Sequence, residues 1–346
     1  MTELLCIGNP LVDVFINIDI SLAKKYGIVE PVQHISRDQA EMLMNEPTIN
    51  FTSAVKSSGG GAANVAKIAA MLGMNASFSG CAGQDYLADF FEKEMTGAGV
   101  SVILEKSNER TGLCFACSVN KETRFAASPG AALDFNETFV GEELLNGAEV
   151  VVVDGYILDR RPLVQHILLL ASRRGIPVAL DAASIFQVKS KAEEILTYSR
   201  NFPLFIFMNA DEAITFFNTI RKSRDDVINL QEKEKEAVIL RDVCPMLKII
   251  TDGEIFPIVV VKLGGRGAVV VAGGNVYREE TFTVTPRNTV GAGDAFCAAF
   301  ISAWIRDKSL SECAAMGNKV AREILSVPGT HIKSGKLKSF AKTLKV

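Results

Sequence analysis

The chain has 346 residues, 48% of them hydrophobic and 22% charged, the balance of a folded protein with room for one large α/β domain or a domain plus a small appendage. A formal net charge of -3 argues against nucleic acid as the main partner, since phosphate backbones need clustered Lys and Arg, and points to small molecules. The longest apolar stretch, residues 295–305, is short of the ~20 residues of a membrane span, and residues 1–6 lack a basic secretory start, so a cytoplasmic protein without membrane contact is expected.

Residues 3–8 read as a buried strand that stops at Gly8-Asn9-Pro10, and residues 12–19 resume a strand after that corner. Short helical patterns at 22–26 and 37–45 follow. Ser58-Gly-Gly-Gly-Ala-Ala-Asn64 then leads into an apolar helix over 65–72, stopped at Gly73. A strand is expected at 76–80, a helix at 85–97 and a strand at 100–104. Residues 113–119 and 123–127, joined by Asn120-Lys-Glu, give a hairpin signal and a candidate lid component. Four short apolar strands come next, at 150–154, 178–181, 205–209 and 258–262. Each ends in a polar residue (Asp154, Asp181, Asn209, Lys262), as in a parallel sheet with functional groups at its carboxyl ends. The charged stretch 221–242 reads as a solvated surface helix and the lysine-rich 333–345 as an exposed end.

Seven cysteines lie in apolar contexts, which suits free thiols in a reducing compartment. Cys114 and Cys117 have the spacing of a redox or zinc half-site, but they fall in a strand, where residues three apart face opposite ways, and are expected in the core.

The densest chemistry is Asn-Thr-Val-Gly-Ala-Gly-Asp at 288–294, ahead of a long apolar helix. Gly291 and Gly293 let backbone approach a ligand, and the free amides of a first helical turn attract an anion. A carboxylate among such amides, Asp294, suits a base that takes a proton from a hydroxyl while the amides hold a phosphoryl group. The alternative is that Asp294 only caps the helix. No phosphate loop ending in Gly-Lys-Ser/Thr occurs, so a P-loop enzyme is not expected. Glycines 59–61 nearly match a dinucleotide fingerprint, but Asn64 stands where its third glycine belongs and a polar stretch precedes it, which leaves a Rossmann oxidoreductase as a runner-up. Three glycines before Asn64 instead suit a polyhydroxylated ligand.

Ser58 to Ala66, Asn209-Ala-Asp-Glu212, Lys262-Leu-Gly-Gly-Arg-Gly267 and 288–294 appear in the order seen in ribokinase-like, phosphofructokinase-B-type kinases, which this chain resembles over nearly its whole length. Gly8-Asn-Pro-Leu-Val-Asp13 followed by Leu22-Ala-Lys-Lys-Tyr-Gly27 is similar to the adenosine kinase group within that family. The resemblance implies Mg²⁺-dependent transfer of the γ-phosphoryl group of ATP to a nucleoside 5′-hydroxyl, with adenosine giving AMP as in purine salvage. A sugar kinase acting on ribose or a ketose is the alternative, and a non-catalytic nucleoside-binding protein a remoter one. Asp294 would be the base and the amides of Gly291, Ala292 and Gly293 the anion hole, with Arg124 reaching the phosphate in transit or merely flanking a turn. Asn209 and Glu212 would order the metal through water. Lys262, Gly264, Gly267, Asn288 and Asn318 would lie at the nucleotide. Asn9, Asp13, Gly60, Gly61 and Asn64 would hold the acceptor, and His34, Phe125 and Tyr156 would line its pocket or simply pack.

By the same resemblance, Leu11, Phe125, Tyr156 and Phe186 are candidates for an apolar slot that would take a base. Two departures stand out: Asn288 where the family has an aspartate, and Leu133 where an asparagine is common. The expected architecture is a three-layer α/β/α ribokinase-like fold with a mostly parallel central sheet. Residues 1–12, 58–109 and 130–346 would form the large domain, and 13–57 with 110–129 a small β-rich lid, in a monomer or homodimer.

Overall fold

The computed structural model describes residues 2–30, 32–119, 122–222, 230–253, 257–284, 291–326, 337 and 339–341. Its strands are β1 (Leu4–Ile7), β2 (Leu11–Asn17), β3 (Val32–His34), β4 (Val55–Gly59), β5 (Ala76–Gly83), β6 (Ser101–Ser107), β7 (Thr111–Val119), β8 (Glu122–Gly130), β9 (Val150–Val153), β10 (Val178–Asp181), β11 (Leu204–Asn209), β12 (Ile258–Lys262), β13 (Ala268–Ala272) and β14 (Asn275–Glu279). The helices are α1 (Ile20–Lys25), α2 (Arg37–Met44), α3 (Gly61–Met71), α4 (Tyr86–Gly97), α5 (Arg161–Arg173), α6 (Ile185–Asn201), α7 (Ala210–Arg221), α8 (Glu232–Val238), α9 (Cys244–Thr251), α10 (Ala292–Trp304) and α11 (Leu310–Leu325).

A nine-stranded sheet runs β14-β13-β12-β11-β10-β9-β1-β5-β6, and every neighbour in it is parallel except β12 with β13 and β13 with β14. Its central strands are buried on both faces, as a parallel sheet between helix layers requires. Leu4, Cys6, Val150, Val152, Phe205 and Phe207 enter one core with α3, α10 and α11, while Leu5, Ile7, Val151, Val153, Ile206 and Met208 enter the other with α5, α6 and α7. The three-layer α/β architecture expected from the sequence is the one observed.

A five-stranded mixed sheet, β3-β8-β7-β2-β4, forms the smaller unit. Val12, Val14, Ile16, Phe115, Cys117 and Val119 turn one of its faces into the first of the two cores, so it shares apolar packing with the large sheet. The seven cysteines are free, and Cys117 is fully buried while Cys114 is partly so. Among the described residues no helix is long and apolar enough to cross a membrane.

Two expectations change. The glycine cluster is preceded by a strand, β4, whose polar sequence Val-Lys-Ser-Ser-Gly hides it because its burial comes from neighbouring elements. The stretch expected as a solvated helix includes Glu236, which is buried and pairs with Arg266 and Arg278 from beyond β12. A local run of charge cannot show that two distant arginines converge on one carboxylate.

Candidate active site

Four parallel strands end side by side. Asp154 follows β9, Asp181 closes β10, Asn209 closes β11 and Lys262 closes β12, and Asn209 and Lys262 are register partners. Asp181 accepts from Lys262 Nζ at 2.8 Å and from the Ala183 amide at 2.9 Å. Asn209 caps α7: its side chain accepts from the Glu212 amide at 2.9 Å, and the Glu212 carboxylate returns to the Asn209 amide and side chain, both at 2.7 Å. Burial, reinforced by the Asp181 charge, lifts the Glu212 carboxyl to about 7. Burial opposes a charge on Lys262, but the Asp181 and Glu212 carboxylates outweigh it and hold the ammonium charged.

Helix α10 begins at the same edge. Gly291 is its N-cap in the left-handed region (φ 76°) and supplies no side-chain cap, so Asp294 does not cap the helix. Its carboxylate instead accepts from the Asn64 side chain at 2.9 Å. Withdrawal from water, with Asp181 nearby, raises the Asp294 carboxyl to about 7, against the pull of Asn64 and Lys262. A Cβ on Gly293 would stand 3.2 Å from Lys262 Nζ, so a fixed cation lies directly against the helix start.

A cavity of about 600 Å³ opens here. Its lining includes Asn209, Glu212, Lys262, Gly264, Gly267, Ala292, Gly293, Asp294 and Asn318, and also Asp181, which sequence reasoning noted only as a strand end. Asn288 lies outside the described residues.

On the other side of Asp294 stands a second group. Gly61 has its bare face toward Asp294 and Asp154: an added Cβ would lie 3.7 Å from Asp294 Oδ1 and 3.5 Å from Asp154 Oδ2. Gly60 adopts φ 96°, and a Cβ there would meet the Asn9 carbonyl at 2.2 Å, so the turn into α3 requires glycine. Asn9 is buried and accepts from Arg160 Nη2 at 2.5 Å. The Asp13 carboxylate rests on Gly59, whose added Cβ would stand 2.2 Å from Oδ1. Burial raises its carboxyl to about 7, opposed by Lys67 and supported by Glu94. His34, from the small sheet, meets Tyr156, after β9, edge to face at 6.0 Å between ring centroids. Phe125, on β8 beside Val32, is partly buried, as are Leu11 and Tyr156.

Some expected residues are not brought in. Arg124 is held away: its Nη1 donates to the Ile28 carbonyl at 3.0 Å and its Nη2 faces Glu122 at 3.8 Å, within the small unit. Phe186 is 74% exposed, so it closes no slot in this structure. Asp154, Asp181 and Lys67 were given no site role from the sequence. The first two carried the same strand-end signal as Asn209 and Lys262. Lys67 was visible as a lone lysine inside an apolar helix, one turn beyond Asn64.

A strand-end rim, a helix start with a bare glycine and a half-buried carboxylate between two binding groups are the parts of a phosphotransferase with an alcohol group as acceptor, and the relatives agree. The sequence profile of the pfkB family of carbohydrate kinases matches residues 23–336, and the chain belongs to that family. It is 24% identical to an adenosine kinase of Schizophyllum commune, covering 96% of this chain and 97% of that protein. It is also 24% identical to a 5-dehydro-2-deoxygluconokinase of Bacillus subtilis, covering 81% and 83%. Its fold matches the crystal structure of adenosine kinase from Sinorhizobium meliloti with a TM-score of 0.82 at 23% identity, over 99% of both chains.

Proposed function

We propose that this chain transfers the γ-phosphoryl group of ATP to the 5′-hydroxyl of adenosine. The observation that supports this most is the place of Asp294: it lies in the first turn of α10, lines the cavity on one side and touches Asn64 of the glycine-rich turn on the other. In this reading the cavity takes ATP, with its phosphates at the amides of Gly291 to Gly293 and near Lys262. The acceptor sits between Asp13, Asn64 and Gly61. Its 5′-hydroxyl loses a proton to Asp294 as it attacks the γ-phosphorus, the bond to the β–γ bridging oxygen breaks, and ADP leaves.

Among the described residues no three His, Cys, Asp or Glu side chains cluster as a metal cage. Glu212 and Asp181 at the cavity nonetheless suit Mg²⁺ held chiefly by phosphates and water, with Asn209 and Glu212 ordering those waters. Bound with ATP, Mg²⁺ supplies neutralisation of phosphate charge. The small sheet, with α1 and α2, acts as the lid over the acceptor, and Leu11, Phe125 and Tyr156 offer apolar surface for the base. Arg124 has no part while it is held by Ile28.

The second reading is a sugar kinase on the same site, favoured by the equal identity to the Bacillus subtilis enzyme. ADP release from ATP and Mg²⁺ with adenosine, 2′-deoxyadenosine, ribose and fructose decides between them. Adenosine should be used best and ribose weakly. 2′-Deoxyadenosine should lose about 1–3 kcal/mol of transition-state stabilisation, since Asp13 is left with an unpaired oxygen. Faster turnover of ribose or fructose than of adenosine would reject the nucleoside.

A further inference from the structure

Strand β4 is the edge of the small sheet and has only β2 as a sheet neighbour. Its last three residues, 57–59, are buried, and buried outward backbone groups need other partners. Fully buried Ser58 finds them on two helices: its carbonyl accepts from Lys67 Nζ on α3, and its amide donates to the Glu94 carboxylate on α4. Ser58 is therefore clamped by one cation and one anion. The next residue is Gly59, the surface on which the Asp13 carboxylate lies.

We propose that Lys67 and Glu94 are positioning residues for Asp13, holding Gly59 beneath its carboxylate and setting the charge that carboxylate carries when it binds the acceptor. This rests on the assignment of Asp13 to the acceptor made above. The charges work in opposite senses. Asp13 is faced by Lys67 from α3, Glu94 from α4 and the Cys114 thiol from β7. Lys67 in turn is faced by Glu94, Asp13 and, from α10, Asp294. Burial is what chiefly raises the Asp13 carboxyl; upon that, the lysine favours an ionised Asp13 and the glutamate disfavours it, so the two charges trim the carboxylate in opposite directions. Lys67 also lies one turn from Asn64 on α3, so a single helix sets both the acceptor carboxylate and the contact to Asp294.

The test is adenosine binding without nucleotide, measured by calorimetry across pH for the wild type, Lys67→Met, Lys67→Arg and Glu94→Gln, with a non-hydrolysable ATP analogue as the control ligand. Lys67→Met should weaken adenosine binding at pH 7 by about tenfold and move its acid limb up by about one pH unit. Glu94→Gln, which can still accept from Ser58, should move that limb down. Lys67→Arg should restore most of the affinity, and binding of the ATP analogue should stay within about twofold throughout, because that site is separate. Limbs that stay put, or move the same way in both charge-removing variants, would show that the clamp is structural only. If Lys67→Met does not fold, an unmoved limb in Glu94→Gln overturns the proposal just as well. A wild type that does not bind adenosine overturns the acceptor assignment, and this inference with it.

Discussion

With its carboxyl raised to about 7, Asp294 is largely protonated at pH 6 and cannot then take a proton from a hydroxyl. Turnover should therefore rise with pH through about 7. Asp294→Asn should lower kcat by about 10²–10⁴ with both KM values little changed, and steady-state kinetics across pH should show the acid limb gone. A variant with near-wild-type kcat would remove Asp294 from the chemistry. The same shift has a cost in stability. A carboxyl raised on folding contributes stability that is fully present below its unfolded value, 3.8, and lost as pH climbs through about 7. Asp294→Asn should thus raise Tm by about 1–3 °C at pH 8, and calorimetry should find the gain shrinking towards pH 5. The role proposed for Asp294 could be read in sequence because glycines and an apolar helix surround it. Lys67 and Asp181 left a signal but not a role, because their partners lie elsewhere in the sequence: Ser58 and Glu94 for one, Lys262 for the other.

At the scale of the element, α7 combines structure with a proposed metal role. Glu212 uses both oxygens to close the cap on Asn209, yet it also lines the cavity. Glu212→Gln keeps an acceptor for the Asn209 amide but loses the charge and the bond from the Asn209 side chain, so Tm should fall slightly while the activity curve against free Mg²⁺ moves to higher concentration. Superimposable Mg²⁺ titrations would leave Glu212 as a helix cap alone. Strands β9 to β12 could be read directly from sequence, since burial on both faces writes an uninterrupted apolar run. β3, three residues long, and β4, largely polar, could not: their pairing is supplied by β8 and β2 and leaves no periodicity of its own.

Across the whole molecule the two sheets divide the work, in the proposed reading, between acceptor and nucleotide. Hydrogen exchange should report that division: adenosine alone should slow β2, β7 and β8, and an ATP analogue alone should slow the Gly264–Arg266 turn and α11. Protection spread evenly over both regions by either ligand would contradict it. The sequence order of strands and helices anticipated the layers, but not that the side chains of Asn64 and Asp294 meet. Asn64 and Asp294 touch across 230 positions, and α10, buried along residues 295–303, packs on α3. During synthesis the turn that carries Asn64 is therefore translated long before Asp294. In the proposed reading, a chain halted before α10 lacks both the base and a helix that fills the first core, so it has no surface on which to consume ATP. Turnover, in that reading, waits for α10 to pack onto α3.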